Sequence, residues 1–253
     1  MTNLHEFIES LELAEAPMQL LRTKEAKSSS LAIGKVGHQA AQVNAGSLVS
    51  FVGGLSEVNR ADVQNSTLLA QLAANKKFPD KVKHAKKWFD FYSDVLQKVG
   101  WNMPAWTQKD LSRSSGTLQL DTVVLELVAT IMTGTEVAII KAAMDALKAT
   151  ADGSKQMTIW NQNTGTSKGG MFQILPCAQS AEGNVVMALS AIQYQVSEQV
   201  DRFLWMSWSS SSIKVQGGAA KVELNTNVYS KVRDSVVAKL GVDAGLFVAG
   251  LDI

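Results

Sequence analysis

The stretch 185-VVMALSAIQYQV-196, followed by 203-FLWMSW-208, decides the fold. In an extended chain successive side chains point to opposite faces, so Met187 and Leu189 lie on one face and Ile192 on the other. A strand with one face in water alternates between apolar and polar residues, whereas these stretches are apolar on both faces. They are therefore predicted to be strands covered on both sides.

Residues 155–224 carry the two-residue period of strands and short turns, which indicate antiparallel neighbours. They predict a β-meander within a mostly antiparallel sheet of about five or six strands. The predicted strands are residues 155–161, 170–178, 184–196 and 201–209, and a hairpin of 213–216 and 221–224 that turns at Gly217-Gly218.

The rest of the chain shows mainly the helical period. Residues 1–100 are predicted to be largely helical, including a helix with Pro79 in its first turn that ends at Gly100. Residues 117–150 predict a helical hairpin, and residues 225–240 a final helix. We therefore predict one α+β domain over residues 1–253, with helix, sheet and helix layers.

Three segments before residue 110 are less regular. Residues 28–30 predict a linker after a short helix that Pro17 opens, and residues 31–55 are too rich in glycine to be assigned to a helix or a strand. Residues 101–109 predict an extended segment, and Pro104 within it indicates an edge strand or a break.

Composition excludes several classes of protein. The 253 residues carry a net charge of +1, which argues against nucleic-acid binding. The single cysteine precludes an internal disulfide. The first 15 residues lack the basic and apolar regions of a signal peptide, so we expect cytoplasmic synthesis and, if the protein is released, a non-classical route.

Catalytic signals are weak. His5, His38 and His84 show no metal-ligand spacing, and the glycine-rich loop at residues 165–170 joins two predicted strands, unlike a phosphate-binding loop. The sequence predicts no metal and no cofactor, and it favours a non-enzymatic protein. The alternative is an enzyme with an unrecognised site.

The candidate site residues are a basic cluster and one thiol. Lysines near an anionic membrane add attraction, although a solvated helix face is the default interpretation of such a cluster. Cys177 is a candidate for acylation or a reactive thiol, and the alternative is a packed small side chain. The candidate lipid-binding lysines are Lys76, Lys77, Lys83, Lys86 and Lys87.

The segments 65-NSTLLAQLAANKK-77 and 88-WFDFYSDVLQKVGW-101 look like stretches of an uncharacterised bacterial protein family. In architecture, helices flanking a mostly antiparallel sheet without a catalytic motif resemble the Cyt-type cytolytic insecticidal proteins and the Evf-type bacterial virulence factors. In the Evf type a cysteine carries a fatty acyl chain held in the fold. The resemblance implies that Cys177 would play that part here.

Three functions remain open at this stage. The leading hypothesis is a bacterial virulence or insecticidal-type protein that acts on membranes by rearranging apolar helices, with residues 117–150 and 31–55 as candidates. The second is a self-assembling or partner-binding structural protein that uses its apolar C-terminal tail as a contact. The third is the enzyme with an unrecognised site.

Overall fold

The computed structural model describes residues 3–16, 39–104, 108–166, 168–197, 203–205 and 207–253. Within these residues helices pack on both faces of a large sheet, so the α+β class and the layered arrangement are confirmed. The helices are α1 (Leu4–Ser10), α2 (Glu57–Lys77), α3 (Ala85–Lys98), α4 (Leu120–Ala129), α5 (Gly134–Ala149), α6 (Lys155–Thr164), α7 (Thr226–Tyr229) and α8 (Arg233–Leu240).

Nine of the described strands form the large sheet. They are β1 (Ala40–Asn44), β2 (Ser47–Phe51), β3 (Trp101–Asn102), β4 (Lys109–Asp110), β6 (Gly165–Thr166), β7 (Gly169–Gln179), β8 (Val185–Val196), β10 (Ile213–Leu224) and β11 (Val248–Leu251). Their main order is β11-β1-β2-β7-β8-β10-β3, with β4 on β10 and β6 on β7. The β2–β7 pair is parallel and the other described pairs are antiparallel. Outside this sheet β5 (Thr117–Gln119) pairs with β9 (Ser207–Ser209).

Strand β8 has the two apolar faces that its sequence predicted. Met187 and Leu189 pack with α2, α3 and α8 in one core, whereas Ile192 and Tyr194 pack with α4, α5 and α6 in a second core. The sheet thus separates two hydrophobic cores, each closed by its own helices. We call these the α2 layer and the hairpin layer.

Residues 155–161 were predicted to be a strand, and this prediction is wrong because they open α6. Ser154 caps the helix, since its hydroxyl accepts a hydrogen bond of 3.2 Å from the backbone N–H of Met157. Met157 and Ile159 alternate like strand residues, but the buried pair Met157 and Trp160 has the helical spacing.

The predicted strand 201–209 is also wrong, as far as the described residues show. Phe203–Trp205 form a 3-10 turn, and only Ser207–Ser209 are extended. Leu204 of this turn is fully buried in the core of the hairpin layer. The short apolar run that begins at residue 203 therefore indicated a buried segment, but burial alone does not specify a strand.

Gly217 and Gly218 were predicted to turn a hairpin, and this too is wrong because β10 continues through them. A Cβ atom at Gly217 would lie 2.8 Å from the carbonyl oxygen of Ala191, so this glycine permits close strand packing. The far side of β10 carries the short strands β3 and β4 on either side of Pro104, in agreement with the predicted break.

The unassigned glycine-rich segment supplies two strands of the large sheet. Residues 40–44 and 47–51 form a hairpin, and β2 then pairs with β7. The turn has no room for a side chain at Gly46, because a Cβ atom there would lie 2.8 Å from the carbonyl oxygen of Asn163. Residues 31–38, the predicted helix and linker before them, and Trp106 lie outside the described residues.

The predicted C-terminal helix is divided into α7 and α8, which follow the Asn225 cap. Gly241 ends α8 with a φ of 64°, a conformation that glycine adopts readily. The apolar tail then pairs with β1 as β11, at the end of the sheet order. Phe247, Val248 and Leu251 of the tail are thereby buried within the chain itself, whereas Val242 and Ile253 are exposed.

Candidate functional site

The five candidate lysines lie around the junction between α2 and α3. Lys76 and Lys77 are in the last turn of α2, and Lys86 and Lys87 are in the first turn of α3. Lys83 lies in the connecting turn, where its backbone N–H donates to the Asp80 carboxylate at 3.0 Å. The expectation that one helix starting near Pro79 carries Lys83 and Lys87 together is therefore wrong.

Two of these lysines have partners of their own. The Lys86 amine lies 2.7 Å from the Asp90 carboxylate, and the Lys77 amine lies 4.1 Å from the centre of the Phe91 ring. Lys76, Lys83 and Lys87 are exposed. The surface is thus basic but partly neutralised, and its role in lipid binding stays a prediction.

Cys177 lies on β7 and is fully buried in the core of the α2 layer. Its thiol faces the carbonyl oxygen of Leu175 at 3.3 Å, and burial raises its pKa. A raised thiol pKa lowers the fraction of reactive thiolate. The packed side chain that strand alternation indicated is what the structure shows, and acylation stays a prediction.

The sequence analysis did not single out Lys81, although its amine is buried. The amine donates to the backbone carbonyl of Asn163 in the last turn of α6, and burial lowers its pKa to about 8. This bond joins the turn between α2 and α3 to a helix of the opposite layer. Within a basic run, no sequence signal distinguished this lysine from its exposed neighbours.

Polar bonds tie α2 to neighbouring strands and helices. The Gln71 side chain accepts from the Gly46 N–H at 2.9 Å and donates to the Asn44 carbonyl at 3.1 Å. Asp62 forms two hydrogen bonds of 2.7 Å with Arg233 of α8. The asparagine and glutamine residues within 65-NSTLLAQLAANKK-77 were the available signal for this network.

The side-chain bonds of the α4–α5 hairpin lie on its exposed face, and one of them, the Arg113–Glu126 ion pair at 3.7 Å, reaches the segment before β5. Thr133 donates to Glu136, and the Lys141 amine lies 2.6 Å from the Asp145 carboxylate. The face of the hairpin that packs in the core of its layer is apolar. The hairpin residues of that core are Leu120, Val123, Val124, Val128, Ile140, Ala143, Met144 and Leu147.

The polar tie that joins the hairpin entry to β9 is at the surface. The Gln119 amide donates to the Ser207 hydroxyl at 2.9 Å, and these two residues are paired in the β5–β9 ladder. Hydrogen bonds cross from α2 to several elements, whereas apolar contacts hold the inner face of the hairpin. Helix α2 and the inner face of the α4–α5 hairpin therefore differ in how they are attached to the sheet, whereas α6 of the hairpin layer has a polar bond of its own, from Gln156 to the Gly250 carbonyl of β11 at 2.9 Å.

Metal and membrane-spanning signals are lacking in the described part of the chain. No group of histidine, cysteine, aspartate and glutamate residues there is arranged to hold a metal ion. The same residues include no helix that is both long and apolar enough to cross a bilayer. The glycine-rich loop at residues 165–170 was predicted to join two strands, but it follows helix α6, and its first residues form β6, which pairs with β7 with Gly165 opposite Gly170.

No protein-family model and no curated protein matches the chain. Similar solved structures include a delta-endotoxin, with a TM-score of 0.42 and 10% identity over 80% of this chain and 96% of that chain. The activated Cyt2Ba monomer from Bacillus thuringiensis subsp. israelensis has a TM-score of 0.33 and 12% identity, over 54% and 79%. The Evf virulence factor has a TM-score of 0.35 and 13% identity, over 90% and 88%.

These comparisons confirm the predicted resemblance to Cyt-type and Evf-type proteins at the level of architecture. These three structures are those of a delta-endotoxin, a Cyt2Ba monomer and a virulence factor. Sequence identity and TM-score are both low, so the likeness concerns the fold.

Proposed function

We propose that this chain is a toxin-like, non-enzymatic protein that acts on lipid membranes by releasing the α4–α5 hairpin from the sheet. The observation that carries the proposal is the difference in attachment to the sheet between α2 and the inner face of the α4–α5 hairpin. Moving α2 from the sheet would break buried hydrogen bonds, such as those between Gln71 and the β1–β2 turn. Each broken bond that leaves a buried polar group unpaired costs about 1–3 kcal/mol.

The inner face of the hairpin can exchange one apolar environment for another. Residues such as Val124 and Ile140 contact apolar side chains of the sheet, and lipid tails offer a similar environment. The outer face carries Glu126, Lys141 and Asp145. Helices of 10 and 16 residues with one charged face suit the plane of the membrane interface.

The basic surface and the hairpin belong to opposite layers of the molecule. Lys83 and Lys87 are exposed beside α3 in the α2 layer, whereas α4 and α5 cover the other face of the sheet. A rigid molecule would not lay both surfaces on one flat bilayer. We therefore propose two steps, attachment through the lysines followed by release of the hairpin.

The attachment step predicts a loss of binding on charge reversal. Lys83→Glu together with Lys87→Glu should weaken sedimentation with anionic vesicles by about thirtyfold or more, since each lysine adds about 1 kcal/mol near such a surface and the introduced glutamates are repelled by it. Lys148→Glu on α5 is the matched control and should leave binding nearly unchanged. Unchanged binding of the double variant, or no binding of the wild type to any vesicle, would refute this step.

If the hairpin must be released, a disulfide that fixes its entry should prevent membrane damage while the protein still attaches to vesicles. Gln119→Cys with Ser207→Cys should form a disulfide, because directly opposed residues of antiparallel strands have suitable spacing. Dye release from anionic vesicles should be low in the oxidised protein and return on reduction, with sedimentation unchanged. Equal dye release before and after reduction would contradict hairpin release.

A further inference from the structure

Two serine hydroxyls are buried in the large sheet without a hydrogen-bond partner among the described residues. They belong to Ser50 on β2 and Ser190 on β8, and both residues are fully buried. A hydroxyl that leaves water without gaining a hydrogen bond makes the folded state less stable. Strand β7 separates β2 from β8, so the two strands lie about 9–10 Å apart and the hydroxyls cannot bond to each other.

Both serines face the hairpin layer. Directly paired residues of neighbouring strands point to the same face of a sheet. Ser50 is paired with Ala41 and Ser190 with Ile174, and both of these partners belong to the core of the hairpin layer. Helix α5 contacts β2, and α4 contacts β8. The hairpin residues in this core are apolar, so their side chains offer the two hydroxyls no hydrogen bond.

Polar side chains on the opposite face of the sheet do have hydrogen bonds. Ser47 on β2 donates to the Gln173 side chain on β7 at 3.0 Å. The Asn44 amide nitrogen on β1 donates to Gln64 and Thr67 of α2, although its amide oxygen has no partner in the described part of the chain. The two serines that face the hairpin layer have no such bond, so docking of the hairpin leaves their hydroxyls wholly unpaired.

We propose that Ser50 and Ser190 lower the free energy needed to release the α4–α5 hairpin. While the hairpin is docked, both hydroxyls are unpaired, whereas its release uncovers this face of the sheet and lets water bond to them. The bonds gained with water offset part of the cost of separating the apolar surfaces. This inference rests on the proposed release of the hairpin, and it names the residues of the sheet that regulate that release.

Hydrogen exchange of the protein alone tests this role without membranes. Ser50→Ala or Ser190→Ala removes one unpaired hydroxyl, and each should slow exchange of the α5 amides about tenfold, which corresponds to about 1.4 kcal/mol. The double variant should slow it about a hundredfold, because effects at well-separated sites add. Ser47→Ala, on the same strand as Ser50 but on the opposite face, is the matched control and should not slow the exchange, since its hydroxyl is paired.

Anionic vesicles supply the second measurement. The double alanine variant should release dye at least about tenfold more slowly than the wild type, with sedimentation unchanged. If an alanine variant fails to fold by circular dichroism, Ser50→Cys or Ser190→Cys fills the same space with a weakly polar thiol and should act in the same direction.

Three results would overturn the inference: unchanged α5 exchange in the serine variants, equal slowing by Ser47→Ala, or dye release that the double variant does not slow. Wild-type protein that releases no dye would refute the proposed membrane action alone. The exchange comparison then still decides the role of the two serines, so the two failures are distinguishable.

Discussion

Lys81 is a half-buried residue of the turn between α2 and α3, and its amine points into the molecule. The amine donates to the Asn163 carbonyl, and burial lowers its pKa from 10.5 to about 8. At neutral pH the folded protein therefore holds a buried cation that costs stability. The unfolded chain retains the ordinary pKa, so between about pH 8 and 10.5 it binds more protons than the folded chain.

This difference predicts how stability depends on pH. The contribution of Lys81 to the free energy of unfolding should increase as the pH rises above about 8, by at most about 1.4 kcal/mol per pH unit. Lys81→Met removes the titrating group. In urea titrations the stability of the wild type relative to this variant should therefore increase by about 1–2 kcal/mol from pH 7.5 to 9.5. Parallel profiles for the two proteins would contradict a buried ammonium group.

At the scale of single elements, the contact between α2 and the β1–β2 turn is the clearest specific attachment. Gln71 uses both ends of its amide there, and no apolar side chain can replace those bonds. Gln71→Leu should lower the free energy of unfolding by about 2–4 kcal/mol, because it leaves buried backbone groups unpaired. Urea denaturation measures the loss. Asn161→Leu, at an exposed position of α6, is the control, expected within about 0.5 kcal/mol of wild type, and equal losses would contradict the role of Gln71.

The same scale shows which elements the sequence could predict. Strand β8 was predicted correctly because its two apolar faces leave few alternatives. Helix α6 was wrongly predicted to be a strand because Met157 and Ile159 alternate with polar residues. The prediction overlooked Ser154, which is a typical residue to cap the start of a helix. The pair of β2 with β7 joins residues more than 120 positions apart, and a local pattern contains no information on such pairing.

The candidate site residues were likewise only partly predictable from the sequence. Exposed lysines such as Lys83 were visible in the composition of a short segment. The unpaired hydroxyls of Ser50 and Ser190 were not, since their burial depends on how separate strands and helices meet. The burial of Lys81 likewise depends on α6, which follows it by more than 70 residues. Sites of this kind require the tertiary structure.

At the scale of the whole molecule, one sheet separates two helical layers with different attachments. Buried hydrogen bonds and the Asp62–Arg233 ion pair hold the α2 layer, while apolar contacts hold the inner face of the α4–α5 hairpin. A surface that offers an apolar environment should therefore displace the hairpin first. The membrane action that we propose depends on that order of events.

The most direct test places a thiol on the inner face of the hairpin. Ala143→Cys introduces a small side chain at a fully buried position of α5, and native Cys177, fully buried in the core of the α2 layer, serves as an internal control. With anionic vesicles, a lipid-soluble maleimide should modify the introduced thiol and leave Cys177 intact, as read by peptide mass spectrometry. Without vesicles, both thiols should stay unmodified. An unmodified introduced thiol on vesicle-bound protein, or modification of both thiols together, would contradict selective release of the hairpin.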